Sequence, residues 1–433
     1  MNFSQTTQYV IKTLSISTKS GVIDITGIFE ELSIVDSVFS PCMSGHVVIK
    51  DANNLNSKFQ FDGSEFLLVE ISKQDLDLTI KKVFRIYKQT DRRAVNPNTE
   101  AYVLHFVSEE YLLSIQQKVS RRYDATYSGA VARIMADFLH VNSLGVFDET
   151  VGIKNIVVPS LSPIDAINWM AKKSVGKDRV PGFLFYENID GYNFANITTL
   201  LSSEPVTELN MNVKNLSLDN SDLGELVGIR HFEVMEQYDL LHSIKNGVHA
   251  GKYIGIDSTT STLVERPFSF NDLYASHKPM NDSPGIPVID NKLGSSFEQY
   301  NSYVVVGMSD VAKRSSEYFK SSSPDEITKA DDMEMYVLQR PRIMSSIMKQ
   351  RIKLVIPGNF GLSSGYTFKL KVPKYGIKSE EEDVKDDTLY GNYLIVGTRH
   401  LITYEKHETI MEAVKESNYS DTKNVIYRSG TQG

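Results

Sequence analysis

The sequence predicts an α+β protein that is mainly β, with two antiparallel β-barrel domains, a small α+β domain and an insertion domain. Three observations predict this class. Residues 1–110 show a period of two, the period becomes helical after residue 125, and strands dominate again up to about residue 414. A single hydrophobic core stops growing near ~250–300 residues, so a chain of 433 residues should contain several domains.

The first predicted barrel, residues 1–110, alternates apolar and polar side chains as half-buried strands do. Leu67, Val69 and Ile71 share one face of a run that follows the turn sequence Asp62-Gly63. A later run alternates in the same way, with Ala101, Val103, His105 and Val107 against Tyr102, Leu104 and Phe106. Lys82–Lys88 is expected to form the strand between these runs.

The α+β domain is expected at residues 111–210. One helix is predicted by an apolar stripe at helical spacing: Val131, Ile134, Met135, Phe138 and Leu139. Ser162 is a favourable N-cap for a second helix, and Pro163 suits its first position. The strand pair Phe183–Tyr186 and Tyr192–Phe194, with Asp190-Gly191 at the turn, predicts a hairpin.

The second predicted barrel is discontinuous, comprising residues 211–255 and 340–416. Within it, a helix is expected over residues 230–247 and another after Pro341. Residues 256–339 are weakly patterned and are predicted to be an insertion domain. Residues 417–433 are polar and are expected to form a flexible tail.

The two predicted barrels share an order of features. His46–Lys50, Gly63 and Phe66–Ile71 are followed by strands near 82–88 and 101–107. The second series consists of Ile352–Ile356, Gly365, Phe368–Val372, Asn392–Val396 and Ile410–Val414. Two interpretations stay open, because unrelated antiparallel sheets can produce the same order. If one barrel is duplicated, three chains would present six similar units around an axis.

Bulk composition excludes some classes of function. The formal charge of -8 disfavours tight binding to nucleic acid by the whole chain. Cys42 is the one cysteine, so no intrachain disulfide and no Cys/His zinc motif can form. We find neither a signal peptide nor a run of 18 apolar residues, and we expect a protein of cytoplasmic origin that does not span a membrane.

Four stretches, in their order along the chain, carry a family resemblance. They are Ser162–Trp169, Phe183–Phe194, Ile356–Leu362 continuing to Gly365, and Gly391–Val396 followed by His400. With them the chain resembles the central baseplate hub protein of contractile-tailed phages, which is related to the hub portion of secretion-system spike proteins. The order and spacing extend from about residue 20 to 416.

The resemblance implies that both barrels are tail-tube-like and that an insertion lies within the second one. It implies a homotrimer that forms a pseudo-sixfold ring, with the hexameric tail tube above it and the trimeric cell-puncturing spike below. Baseplate wedge and tape measure proteins are further candidate partners. DNA would pass through the central channel without specific binding, and the protein would reside in the tail baseplate of a virion assembled in the host cytoplasm.

Signals for catalysis, metal binding or cofactor binding are weak, and we predict no enzyme, no metal and no cofactor. Gly361–Gly365 matches GxSxG, but a nucleophile elbow needs a helix after Ser363, whereas Tyr366–Leu370 is predicted to be a strand. No phosphate-binding glycine motif occurs. Histidine spacings, eleven for His231 and His242 and seven for His400 and His407, fit no metal motif.

Charged pairs have simple explanations as surface residues. Glu30-Glu31 and Glu109-Glu110 are adjacent and should point to opposite faces of a strand, unlike a glycosidase pair across a cleft. Arg92-Arg93 and Arg121-Arg122 are weak basic clusters without interleaved aromatic residues. The acidic loop at residues 380–387 favours a solvated surface over a docking patch.

Two alternative functions remain beside the structural hub. One is a cell-wall or polysaccharide hydrolase with β-domains, which a turbidity assay on peptidoglycan would detect. The other is a carbohydrate-binding tail module, which binding of the isolated protein to a glycan array would favour.

Overall fold

A computed structural model describes residues 9–73, 78–141, 144–211, 228–257, 262–269, 280–281, 283–284, 300–308, 333–372, 386 and 388–418. Its strands are Tyr9–Thr18 (β1), Gly21–Asp24 (β2), Phe29–Ser37 (β3), Ser44–Asp51 (β4), Phe66–Lys73 (β5), Thr79–Asn96 (β6), Thr99–Ser108 (β7), Arg122–Ala125 (β8), Leu144–Phe147 (β9), Lys154–Val157 (β10), Phe183–Asn188 (β11), Gly191–Asn196 (β12), Thr207–Asn210 (β13), His231–Glu236 (β14), Ala250–Asp257 (β15), Thr262–Ser269 (β16), Ser283–Pro284 (β17), Tyr303–Met308 (β18), Gln350–Pro357 (β19), Thr367–Lys371 (β20), Gly391–Thr403 (β21), His407–Lys415 (β22) and Ser417–Asn418 (β23). Its helices are Leu55–Phe59 (α1), Glu109–Gln116 (α2), Tyr127–Phe138 (α3), Pro163–Lys173 (α4), Ile197–Leu201 (α5), Leu240–Lys245 (α6) and Met333–Ile347 (α7).

Thirteen of these strands form one sheet. Its path runs β14-β19-β22-β21-β3-β4-β7-β6-β5-β1-β2, with β20 beside β21 and β13 beside β20. All of its pairings are antiparallel except β13–β20. The mainly β, antiparallel class is therefore confirmed. The two tube-like barrels stay a prediction, because the described strands contain no closed barrel.

The sheet contains the same strand order twice. We call β1 and β3–β7 the first module, and β13, β14 and β19–β22 the second module. The first module runs β3-β4-β7-β6-β5-β1, and the second runs β14-β19-β22-β21-β20-β13. The outermost pair differs, since β1 is antiparallel to β5 while β13 is parallel to β20. A shared order over six strands favours duplication over coincidence.

The first module folds around the residues that the period of two selected. Leu67, Val69 and Ile71 are buried, as are Tyr102 and Phe106 on the neighbouring hairpin. Successive side chains of a strand point to opposite faces, and in these two runs one face is buried in this core. The second module has its own core, which includes Leu354, Ile356, Phe368, Tyr393 and Met411.

The region between the modules contains both helices and strands, as predicted. The stripe of α3 is buried at Val131, Ile134 and Met135. Ser162 caps α4, because its side chain accepts a hydrogen bond from the amide of Asp165 at 3.3 Å. The predicted hairpin is β11–β12, and β9 pairs in parallel with β12.

A smaller sheet of three strands includes residues of the predicted insertion domain. Its order is β16-β15-β18, and β15 begins at Ala250, before the expected start of the insertion at residue 256. Helix α7 packs on this sheet and on α4. The helix expected to follow Pro341 instead begins at Met333 and contains Pro341. Ile343, Met344 and Ile347, the apolar residues after Pro341, lie in the C-terminal part of this helix.

The single helix expected over residues 230–247 is wrong. His231–Glu236 is strand β14, and only Leu240–Lys245 is helical. Five of the six residues of β14 pair with β19, and this non-local pairing overrides the local preference for helix. The acidic loop lies outside the described residues except for Asp386, and the predicted tail does so beyond Asn418. Among the described helices, none has the length and apolarity needed to cross a membrane.

Candidate assembly surfaces

The two modules have equivalent distortions in their central strands. In the first module, the register of β6 against β7 shifts between Ile86 and Lys88. In the second, the register of β21 against β22 shifts between Ile395 and Gly397. Just before each bulge the same hydrogen bond forms: the amide of Ile86 donates to the Glu65 carbonyl at 3.0 Å, and the amide of Ile395 donates to the Tyr366 carbonyl at 2.8 Å. The repeat therefore extends to individual hydrogen bonds.

The modules are joined edge to edge by β3 and β21. Their antiparallel ladder pairs Gly397 with Ser37 at one end and Thr403 with Glu31 at the other. Beyond the ladder, the Val396 carbonyl accepts from the Val38 amide at 3.0 Å and from the Ser37 hydroxyl at 2.9 Å. The junction therefore shows, within one chain, how one module pairs with another.

A buried carboxylate holds the junction together. Asp36 on β3 is 1% exposed, and its carboxylate accepts from the Ser363 hydroxyl and the Ser364 amide, both at 2.7 Å. The Thr398 hydroxyl on β21 also donates to it. Three donors replace the water that Asp36 loses on burial, and all of them come from the second module.

A salt bridge lies on the solvent-facing side of the junction. The Arg399 guanidinium lies 3.1 Å from the Glu31 carboxylate and donates to the Ser33 hydroxyl at 2.8 Å. Arg399 is on β21, whereas Glu31 and Ser33 are on β3. The opposite charges on the two strands thus help to set the register in which β3 and β21 pair.

A second buried carboxylate, Glu187, ties the helical region to the first module. It is 4% exposed, accepts from the Met43 amide at 2.9 Å and lies 3.2 Å from the Lys82 ammonium. The Ser108 hydroxyl also donates to it. Glu187, at the end of β11, is thus a common acceptor for groups on or next to strands β4, β6 and β7.

Neighbours of Glu187 are held in their neutral forms. Burial raises the pKa of the Cys42 thiol well above its ordinary value, and the nearby charge of Glu187 adds to this effect. Burial likewise raises the pKa of Tyr192, whose hydroxyl lies 3.5 Å from the Cys42 sulfur. A buried thiol with a raised pKa is a poor nucleophile.

His400 and His407 meet in the second module although their sequence spacing fits no motif. They lie across the β21–β22 hairpin, with His400 Nδ1 3.3 Å from His407 Nε2, and the Phe360 ring is tilted against His407 at a centroid distance of 4.4 Å. Burial lowers the pKa of His400 to about 4 and that of His407 well below its ordinary value. The Lys73 ammonium adds a positive charge close by, so both rings stay neutral near pH 7.

The GxSxG serine lies at the junction and not in a cleft. Ser363 is fully buried, donates to Asp36 and accepts from the Ile189 amide at 3.3 Å. A serine nucleophile needs a hydrogen bond to a general base, and this hydroxyl already donates to a carboxylate in the interior. Within the described residues there is no cluster of three or more His, Cys, Asp or Glu side chains suited to a metal ion.

The charged pairs are placed separately and do not converge on one cleft. Glu30 lies 3.5 Å from Lys50, and Glu109 lies 3.7 Å from Arg85. Glu110 is the exception, since it accepts from Tyr192 beside Glu187, where burial raises its pKa. The basic pairs are exposed, with ion pairs Arg92–Glu100, Arg121–Asp137 and Arg122–Asp124.

Comparison with known proteins identifies the fold. No protein-family model and no curated protein matches the chain. The tail protein from Neisseria meningitidis MC58 aligns over 94% of this chain and 97% of that chain, with a TM-score of 0.52 and 12% identity. The 43 kDa tail protein of prophage MuSo2 from Shewanella oneidensis aligns over 94% of this chain and 99% of that chain, with a TM-score of 0.53 and 8% identity.

The chain therefore shares its fold with two tail proteins, one of them from a prophage, over nearly the full length of all three chains. This confirms the resemblance to phage tail proteins at the level of fold. Asp36 and Glu187, which hold the regions together, were not found from the sequence. The one available signal was the position of Glu187 directly after the run Phe183–Tyr186 in a strand that is buried throughout.

Proposed function

We propose that the protein is a structural hub of a contractile phage tail baseplate. Three copies form a pseudo-sixfold ring that joins the hexameric tail tube to the trimeric cell-puncturing spike and leaves a central channel. The observation that carries this proposal is the repeated strand order, β3-β4-β7-β6-β5-β1 and β14-β19-β22-β21-β20-β13, within one chain. A chain with two similar modules can present six similar surfaces from three copies.

The junction supports the proposal because it shows that two modules can stand side by side. The β3–β21 ladder makes the sheets of the modules continuous. Placing six modules in this relation produces a ring with one sheet lining it. The matches to tail proteins support a role in a tail, and the spike and tube are the partners that such a symmetry adaptor would join.

We propose that the solvent-facing side of the central strands lines the channel. Along it, acidic and basic side chains pair with one another, as Arg399 does with Glu31 and Arg351 with Glu412 at 3.5 Å. Paired charges offer DNA few free cations, so DNA can slide past. Duplex DNA should not bind at physiological salt in a fluorescence anisotropy titration, and tight, salt-sensitive binding would contradict this part.

We propose that the protein has no catalytic activity of its own. Ser363 is buried at the junction, and the exposed carboxylates form ion pairs at separate places. The protein should therefore leave the turbidity of a peptidoglycan suspension unchanged over hours, with lysozyme as the positive control. Clearing of the suspension would instead favour the hydrolase.

The ring is tested by mass and shape. Native mass spectrometry should give a species of three times the chain mass of 48.8 kDa, and negative-stain images should show rings with apparent sixfold symmetry and a central hole. A persistent monomer at concentrations up to about 100 µM, or a closed dimer, would contradict the proposal.

A further inference from the structure

Strand β6 of the first module and strand β21, its equivalent in the second module, differ in what pairs with one of their edges. In the second module, β21 lies between β22 on one side and β3 on the other. In the first module, β6 is the equivalent of β21, and its residues 90–96 pair with β7 on one side only. We call residues 90–96 the open edge of β6. All of its residues except Thr90 are exposed, including Val95 at 44%.

The complementary edge lies at the far end of the sheet. Strand β14 is the equivalent of β3, and among the described strands β19 is its one partner. No described strand pairs with its outer edge, and two apolar side chains of β14 are exposed, Val234 at 37% and Met235 at 45%. Unprotected strand edges that carry apolar side chains normally invite pairing with another chain.

The repeat fixes the register in which these two edges would meet. Arg93 pairs with Ala101, which lies five residues before Phe106, the partner of Ile86. In the second module, Leu401 pairs with Glu408, which lies five residues before Ala413, the partner of Ile395. Arg93 therefore takes the place of Leu401 in the second module. Leu401 pairs with Ser33 at the junction.

The same counting identifies the counterpart of Ser33. Ser33 connects through His46 to His105, the residue before Phe106, which pairs with Ile86. Glu233 connects through Lys353 to Glu412, the residue before Ala413, which pairs with Ile395. Glu233 is thus the equivalent of Ser33, and Arg93 would lie directly opposite Glu233.

Charge agrees with this register. Arg93 and Glu233 are both exposed, and neither forms an ion pair with any described residue. Opposite charges directly across an antiparallel pair are favourable. The junction inside the chain also carries a salt bridge between its two strands, Arg399–Glu31, although this pair is diagonal, since Arg399 pairs with Val35.

We propose that the open edge of β6 in one copy pairs with β14 of a second copy, antiparallel, with Arg93 opposite Glu233. The inference rests on the proposed ring and names the contact that closes it. The two edges do not meet within the chain: β14 pairs with β19, residues 90–96 of β6 pair with β7, and seven strand-to-strand steps separate the two strands. Three such contacts, alternating with three in-chain junctions, would close the ring.

A disulfide across the contact tests the register. The variant Arg93→Cys/Glu233→Cys, oxidised under mild conditions, should give a covalent trimer on a non-reducing gel, and reductant should return it to monomer. Native Cys42 is 4% exposed and should not contribute. The control variant Tyr404→Cys/Glu233→Cys has a cysteine on an exposed loop away from the edge, and should stay monomeric on the gel.

The outcomes separate the contact from the ring. A trimer by native mass that does not cross-link through positions 93 and 233 overturns the contact and leaves the ring. A monomer by native mass with no cross-link overturns both. A cross-linked ladder beyond three chains supports the contact and overturns the closed ring, since a heterologous contact that fails to close grows into a filament.

Discussion

The two modules have one strand order but unequal surroundings. In the second module, β21 is covered by β3, and the contact buries Asp36 with its three donors. In the first module, the equivalent strand β6 has an exposed edge at residues 90–96. Counting along the ladders makes Gln237, just after β14, the counterpart of Asp36, and Gln237 is exposed. The β3–β21 contact thus forms inside the chain, and its equivalent between β14 and β6 is proposed to form with a neighbouring chain.

The difference teaches that duplicated modules need not keep identical contacts. An in-chain junction forms once, during folding, and can afford a buried carboxylate that is costly when its donors are absent. A contact between chains must first be exposed to water, so exposed charges such as Arg93 and Glu233 suit it better. The predictions below perturb each type of contact, from the strongest expected effect to the weakest.

The largest effect should follow Asp36→Ala at the in-chain junction. The change leaves the Ser363 hydroxyl, the Ser364 amide and the Thr398 hydroxyl buried without their acceptor, which should cost about 3 kcal/mol. Hydrogen exchange followed by mass spectrometry should show this loss as faster exchange of the amides of β3 and β21. Gln237→Ala, at the exposed counterpart, should change stability by less than about 0.5 kcal/mol. Equal effects of the two changes would refute the proposed division of roles.

The second effect concerns pH and is expected mainly from a buried histidine pair of the second module. His400 and His407 are neutral when folded, and burial lowers the pKa of His400 to about 4. Below the ordinary histidine pKa of 6.5 the unfolded chain binds protons that the folded chain does not. Stability is therefore full above pH 6.5 and falls towards pH 4, by about 2–3 kcal/mol for one such histidine at pH 4.5.

Urea denaturation between pH 7 and 4.5 measures this loss. In His400→Gln/His407→Gln the dependence of unfolding free energy on pH should become shallower, whatever the starting stability. His231→Gln removes an exposed histidine on β14 and should leave the dependence unchanged. An unaltered slope in the double variant would show that the buried pair does not control acid stability.

Much of the architecture could be predicted from the sequence, because it depends on local periodicity. The stripe of α3, the cap at Ser162 and the β11–β12 hairpin are set by neighbours within a few residues. The order of the repeat was also visible, since strands and glycines succeed one another in the same way. These features follow from side-chain spacing alone.

The sites that hold the regions together could not be predicted from spacing. Asp36 bonds Ser363 across 327 residues, and Glu187 bonds Met43 across 144. Nothing local distinguishes such carboxylates from solvated ones, because their donors are brought by the fold. Strand β14 was misassigned for the same reason, since its pairing with β19 decides its conformation. Arg92-Arg93 was recognised only as a weak basic cluster, and the repeat gives Arg93 a partner.

The smallest effect, and the closest test of the comparison, is a charge swap at the open edge. Arg93→Glu should place two carboxylates opposite each other at all three contacts and weaken trimer formation at least about tenfold, equivalent to 1.4 kcal/mol. Adding Glu233→Arg restores opposite charges in reversed order, and trimer formation should return to within about threefold of the original. Arg122→Glu changes an exposed arginine far from the edge and should have no effect. Mass photometry over a dilution series measures each variant, and a double variant as weak as Arg93→Glu would show that Arg93 and Glu233 do not face each other.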